Sequence, residues 1–140
     1  ADPTDLDHAR LMRVVRYLVG AGDVVWVYKF QSVPQLLYSL SDSDHASDEE
    51  TRRSVSSSHE YFGGHLLGSD SSRQNVVAIS SGEAEFYACG RVCASVLMEA
   101  HTIQEMGLLS RVLSVYMDSD AGRSLATRMG VGKQRHIQTR

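Results

Sequence analysis

From Leu36 to Asp44 the chain reads LLYSLSDSD, with Leu36, Tyr38 and Leu40 on one parity and Ser39 and Ser41 on the other. That alternation predicts a short strand with one buried face. Upstream, Thr4 and Asp7 have the spacing of a capping box, with Asp in place of Glu. Apolar Leu6, Ala9, Leu11, Met12, Val14, Val15 and Leu18 then recur at helical spacing, until Gly20 and Gly22 stop the helix. Asp23 to Phe30, DVVWVYKF, is rich in β-branched and aromatic residues and predicts a strand, which Pro34 separates from the next. After Asp44 comes a polar loop, HASDEETRRS. Ser58–Phe62 and Leu66–Ser69 flank Gly63-Gly64, which predicts a β-hairpin, and Val76–Ile79 predicts a further antiparallel strand.

Ser80 and Glu83 then have capping-box spacing at the start of a long helix. Its apolar stripe runs Cys89, Val92, Val96, Ala100 and Ile103, and Gly107 closes it. Leu113–Met117 predicts a strand that ends on Asp118, and Ser119–Met129 a short helix stopped by Gly130 and Gly132. A strand and hairpin followed by alternating helix and strand predict an α/β fold, a mixed sheet with helices packed on it.

A length of 140 residues suffices for one domain with a core. The hydrophobic share of 42% and charged share of 22% are those of an ordinary globular chain. No apolar run approaches the roughly 18 residues of a membrane span, so no membrane partner is expected. The acidic, polar N-terminus does not read as a secretory leader. With no Met at the start and no closing element before Arg140, the chain reads as a fragment of a longer one. A net charge of -3 argues against a generic polyanion binder, so a nucleic-acid contact has to be local. The clearest basic stretch is residues 123–140. Cys89 and Cys93, four apart in a helical pattern, read as apolar filler in a reduced compartment.

Three acids stand where the local pattern would prefer something else. Asp42 and Asp118 end strands, and Glu85 falls on the apolar stripe of the long helix, whereas Glu83 is explained by capping. A carboxylate desolvated alone is costly. Converging carboxylates make sense around a hard divalent cation, Mg²⁺ or Mn²⁺. Two such ions about 4 Å apart can activate a water and stabilise a leaving oxygen in phosphodiester cleavage. Spacing alone leaves open the plainer reading, in which these acids are solvated strand ends and helix caps.

The runs SDSDHAS (Ser41–Ser47), TRRSVSS (Thr51–Ser57), Gly63-Gly64, VAISSGEAEFYA (Val77–Ala88), VYMDS (Val115–Ser119) and RHIQTR (Arg135–Arg140) occur in that order. Together they resemble the ribonuclease H domain of copia-type LTR retrotransposon Pol polyproteins. The upstream PTDLDHARLMRVVRYLVGAGD resembles the segment joining reverse transcriptase to that domain. The resemblance implies a connecting segment over residues 1–34 and a C-terminally truncated domain over 35–140. It implies a ribonuclease H-like fold, a mixed five-stranded sheet flanked by helices. It also implies endonucleolytic cutting of the RNA strand of RNA–DNA hybrids. Carried over residue by residue, it assigns Asp42, Glu85 and Asp118 as the carboxylates that bind two Mg²⁺ or Mn²⁺ ions.

Accessory candidates near that site are Asp44, His136 and, more weakly, His45, with Arg52 and Arg53 as candidate nucleic-acid contacts. His8, His59, His65 and His101 read as surface or packing residues. The implied partners are an RNA–DNA hybrid and the adjacent reverse transcriptase domain. The implied location is a cytoplasmic retrotransposon particle, with the nucleus as the alternative. The chain also departs from the family pattern. Gln138 stands where the family has an Asp two residues after the His, here His136, so Gln138 is a weak ligand without charge. His45 replaces a Trp, Ser47 a Gly, and the Trp usual near Ser69 is missing. These changes motivate an alternative: a catalytically impaired module with a structural or hybrid-binding role. An integrase-type core is disfavoured, because such cores place the Glu last and here the order is Asp, Glu, Asp.

Overall fold

The computed structural model describes residues 2–23, 25–108 and 112–129. The chain divides into two compact units, Ala1–Phe30 and Gln31–Arg140.

The first unit is built on helix α1, Asp5–Ala21. Thr4 Oγ1 accepts the Asp7 N–H at 3.3 Å, and the Asp7 carboxylate accepts the Thr4 N–H at 3.0 Å, closing the expected box. The Thr4 hydroxyl, donating to the Asp7 carboxylate at 2.7 Å, and then the Thr4 N–H hold the Asp7 carboxyl below its usual pKa. Gly22, at φ +62, ends the helix where a side chain would be strained. The strand expected from Asp23 to Phe30 does not form: residues 25–30 are irregular, and Val24 lies outside the described residues. Strand propensity expresses fit to a half-buried pleated surface, and Trp26, Val27 and Phe30 are exposed instead.

The second unit contains β1 (Leu36–Asp44), β2 (Val55–Phe62), β3 (His65–Arg73), α2 (Ser81–Glu105), β4 (Val112–Met117) and α3 (Asp120–Ala126). The sheet order is β3-β2-β1-β4, with β1-β2-β3 an antiparallel meander and β4 parallel to β1. A parallel neighbour needs a crossover, and α2 supplies it. This is the α/β class expected, a mixed sheet flanked by helices, with four strands instead of five among the described residues.

The hairpin turns at Gly63-Gly64, pairing Phe62 with His65. Gly63 has φ +60, and a Cβ there would lie 2.6 Å from Pro34 Cγ. Gln31 closes the same corner, donating to Phe62 O at 3.1 Å and accepting from Gly64 N at 3.0 Å.

The buried face of β1 is not the one its apolar residues suggest. Leu37, Ser39 and Ser41 are the buried positions, while Leu40 is exposed and Leu36 and Tyr38 are half-buried. On β2 the buried set is Ser56, Ser58, Glu60 and Phe62. Small serines leave room for α2, on which Ala84 and Ala88 are fully buried. Ser39 donates to His59 O at 3.0 Å, which offsets the cost of burying its hydroxyl. The apolar core is Leu37, Phe62, Val92, Val96 and Ile103, with Ala100, Leu108 and Val115 packed against it. On the opposite sheet face Tyr38 stacks on Tyr61 at 5.0 Å and meets Tyr116 edge-on at 5.9 Å.

Residues 76–79 form no strand. They lead into α2, and the Glu83 carboxylate takes the Ile79 N–H at 2.9 Å. Ser80 Oγ accepts the Glu83 N–H at 3.2 Å and caps the helix. Gly107, at φ +77, closes α2 as expected. Cys89 is half-buried but Cys93 is exposed, so only the first acts as filler. Among the described residues no helix is long and apolar enough to cross a membrane.

Candidate metal centre

Asp42 lies near the end of β1, opposite Ser57 of β2. Asp118 directly follows β4, whose register sets Met117 beside Ser41. Glu85 projects from the second turn of α2, which runs over the β1–β4 crossover. Three stretches far apart in sequence are thereby brought to one end of the sheet. One carboxylate oxygen from each of Asp42, Glu85 and Asp118 lies within 4.8 Å of the other two.

The three differ in environment. Asp42 and Asp118 are exposed, whereas Glu85 is buried at 6% exposure. The Glu85 carboxyl is pushed above its usual pKa, first by burial and then by the negative charges of Asp42 and Asp118. The Ser43 backbone N–H pulls it partly back. Glu85 Oε2 is buried without a hydrogen-bond partner, and so are the hydroxyls of Ser41 and Ser43. A buried carboxylate oxygen without a donor, facing two more carboxylates, is the donor set a hard divalent cation requires. The residues present therefore fit such an ion.

Two glycines fix the crossing of α2 and α3 behind the carboxylates. A Cβ on Gly122 would fall 2.7 Å from Glu85 Cβ, and one on Gly82 would fall 2.9 Å from Ala121 Cβ. Ser119 caps α3 by accepting the Gly122 N–H at 3.0 Å, which orients the residue following Asp118. Asp120 pairs with Arg123 one turn on and is not part of the acid group. Sequence reasoning missed these glycines, since their role depends on which helices cross. The adjacent Ala121-Gly122 pair was the available signal.

The remaining candidates are placed as follows. Asp44 is exposed at the last position of β1, outside the three-carboxylate group. His45 Nε2 lies 3.3 Å from Ala78 O and ties the end of β1 to the approach to α2. Arg52 and Arg53 lie in the loop between β1 and β2, Arg52 exposed at φ +57 and Arg53 half-buried. Asp48 organises that loop: its carboxylate accepts the N–H groups of Glu50 at 3.1 Å and Thr51 at 3.0 Å and binds Arg73 at 2.5 Å. Those donors hold its carboxyl well below the usual range, the Thr51 N–H most strongly. His136, Gln138 and the Arg135–Arg140 motif lie outside the described residues.

No protein-family model matches the chain. It is 30% identical over 129 residues to the retrovirus-related Pol polyprotein from transposon TNT 1-94 of Nicotiana tabacum, covering 91% of this chain and 10% of that protein. It is 30% identical over 119 residues to the Pol polyprotein from transposon RE2 of Arabidopsis thaliana, covering 84% of this chain and 8% of that one. A structural similarity links it to the crystal structure of LC11-RNase H1 in complex with RNA/DNA hybrid. The TM-score there is 0.47 at 14% identity, over 64% of this chain and 59% of the other. The homologues of this chain are copia-type Pol polyproteins from plant transposons, and it spans about a tenth of their length.

Proposed function

We propose that this chain is the ribonuclease H portion of a retrotransposon Pol polyprotein, cutting the RNA strand of RNA–DNA hybrids with two divalent ions. The observation that carries this reading is the meeting of Asp42, Glu85 and Asp118 within 4.8 Å, from two strand ends and a crossover helix. Pol polyproteins as homologues supply the setting. In that setting residues 1–34 connect to a reverse transcriptase domain, which holds most of the substrate.

Asp42, Glu85 and Asp118 would hold the ions, with Gln138 a weaker, uncharged contributor. Bound there, Mg²⁺ or Mn²⁺ supplies Lewis acidity to the attacking water and to the leaving oxygen of a phosphodiester. The chain's own part is positional. The β1–β4 register sets the spacing of the two aspartates, and the α2–α3 crossing holds Glu85 between them. Burial of Glu85 lowers the local dielectric and strengthens each charge interaction at the site. Hybrid selectivity would come from 2′-hydroxyl contacts on one strand and shape on the other, with Arg52 and Arg53 the candidate phosphate contacts. Asp44 and His136 stand as accessory groups.

The test is incubation of a labelled RNA–DNA hybrid with the chain and Mg²⁺ or Mn²⁺, with the Asp42→Asn variant alongside. Cleavage by the parent and none by the variant supports catalysis; equal cleavage by both sinks it. Gln138, in place of the family's Asp, favours the second reading, a non-catalytic module that binds or supports the hybrid. Metal titration separates the two, because a dead module binds Mg²⁺ no better than surface acids do.

A further inference from the structure

A second acidic pair lies away from that centre. Glu60 stands in the middle of β2 on the face turned toward α2 and is only 4% exposed. No hydrogen bond or ion pair engages its carboxylate among the described residues. The charged group it meets is another acid, Glu99 of α2. Glu99 Oε2 is itself buried without a hydrogen-bond partner. Arg91 lines the same cleft, but its guanidinium is bound to Asp70 at 2.5 Å. Two desolvated carboxylates of like sign are thus left without a cation.

The backbone opposite them is shaped to leave room. Glu60 pairs with Gly68 on β3, and the ladder slips register between Glu60 and Tyr61. Such bulges re-aim side chains and recur beside functional sites. A Cβ on Gly68 would lie 3.2 Å from Glu60 Oε2 and 3.9 Å from Glu99 Oε1, so both carboxylates converge on the space that a side chain there would fill. The cleft in front of them is about 220 Å³ and is lined with the hydroxyl residues Ser58, Ser69 and Ser95. Carboxylates, hydroxyls and room for water form an all-oxygen donor set.

We propose that Glu60 and Glu99 form a second cation site, which takes a hard divalent ion and ties β2 to α2. Glu99 lies about 20 Å along the helix axis from Glu85 at 1.5 Å per residue, so this site is separate from the first and does not rest on the nuclease reading. Burial and the charge of Glu60 push the Glu99 acid up to about 7.

The test is a Mn²⁺ titration of the isotope-labelled full chain carrying Asp42→Asn and Glu85→Gln, at mildly alkaline pH. The readout is paramagnetic broadening of the Gly68, Ser69 and Ser95 amides. The expected result is selective broadening of those signals, reversal by excess Ca²⁺, and affinity at least roughly ten-fold weaker with either Glu60→Gln or Glu99→Gln. Glu99 is only partly buried, so its variant keeps the fold even where the Glu60 variant does not. Absence of broadening at millimolar Mn²⁺, or broadening that survives Glu99→Gln, overturns the proposal. The former outcome means that the pair is neutralised by a shared proton.

Discussion

Gly122 and Glu85 touch backbone to side chain: a Cβ on the glycine would come 2.7 Å from the Cβ of the glutamate. The third helix is therefore the backstop against which the buried carboxylate is held. Gly122→Ala would gain helix propensity of about 1 kcal/mol, but overpacking costs about 1–3 kcal/mol and displaces Glu85. The expected outcome is lower thermal stability and hybrid cleavage reduced by roughly ten-fold or more. Gly90→Ala is the control. Gly90 is interior to α2 with nothing within 4 Å of its added Cβ, so stability should rise by about 0.5–1 kcal/mol with cleavage unchanged. Equal behaviour of the two variants in melting and cleavage assays would remove the backstop role.

Glu85 is held at a cost to the metal-free protein, since burial and two neighbouring acids disfavour its charge. Replacing it with Gln should raise the melting temperature in EDTA while lowering cleavage by at least roughly 10²-fold. Mg²⁺ should stabilise the parent chain by about 2.7 kcal/mol at a hundred times its Kd, and the variant by much less. Calorimetry with and without Mg²⁺ reads both effects. A variant that melts lower in EDTA and gains as much from Mg²⁺ as the parent would contradict this account.

The Glu99 acid, raised from 4.5 to about 7 by burial and Glu60, gives a second pH-dependent quantity. The folded state binds the extra proton, so its contribution is fully present below about pH 4.5 and is lost as pH rises through about 7. In EDTA the parent should lose on the order of 1–3 kcal/mol across that window. Glu99→Gln should flatten this part of the profile, as measured by urea unfolding at several pH values. A slope unchanged by the substitution would assign the pH dependence elsewhere.

Gly63 combines positive φ with a Cβ direction blocked by Pro34 at 2.6 Å. Gly63→Ala should cost about 1–3 kcal/mol through backbone strain and displacement of Pro34. Gly64→Ala, whose added Cβ would meet only Gln31 Oε1 at 3.6 Å, should cost much less. Chemical unfolding of the two single variants checks the ordering.

Much of the local structure was readable because it is encoded locally. The Thr4–Asp7 box, the Gly63-Gly64 turn, the Ser80 cap and the stripe that sets Glu85 apart from Glu83 all depend on neighbours within a turn or two. The three carboxylates could be picked out for the same reason: each breaks a local pattern. What could not be read depends on which elements meet. The buried side of β1 is the Ser39/Ser41 side, because α2 needs small residues beneath it. Residues 76–79 carry strand propensity, yet the Glu83 carboxylate takes the Ile79 N–H. The glycine contacts at the α2–α3 crossing show in the sequence only as the Ala121-Gly122 pair, and the Glu60–Glu99 meeting has no local signature at all.

Among the described strands β4 pairs with β1 alone and is an outer one. Edge elements detach at a lower free energy than the whole molecule. Fraying of that single margin would carry Asp118 off while the meander and its crossover helix stayed assembled. Catalytic competence would then report the docking of one short strand, and amide exchange along residues 112–117 would track it more closely than global melting does.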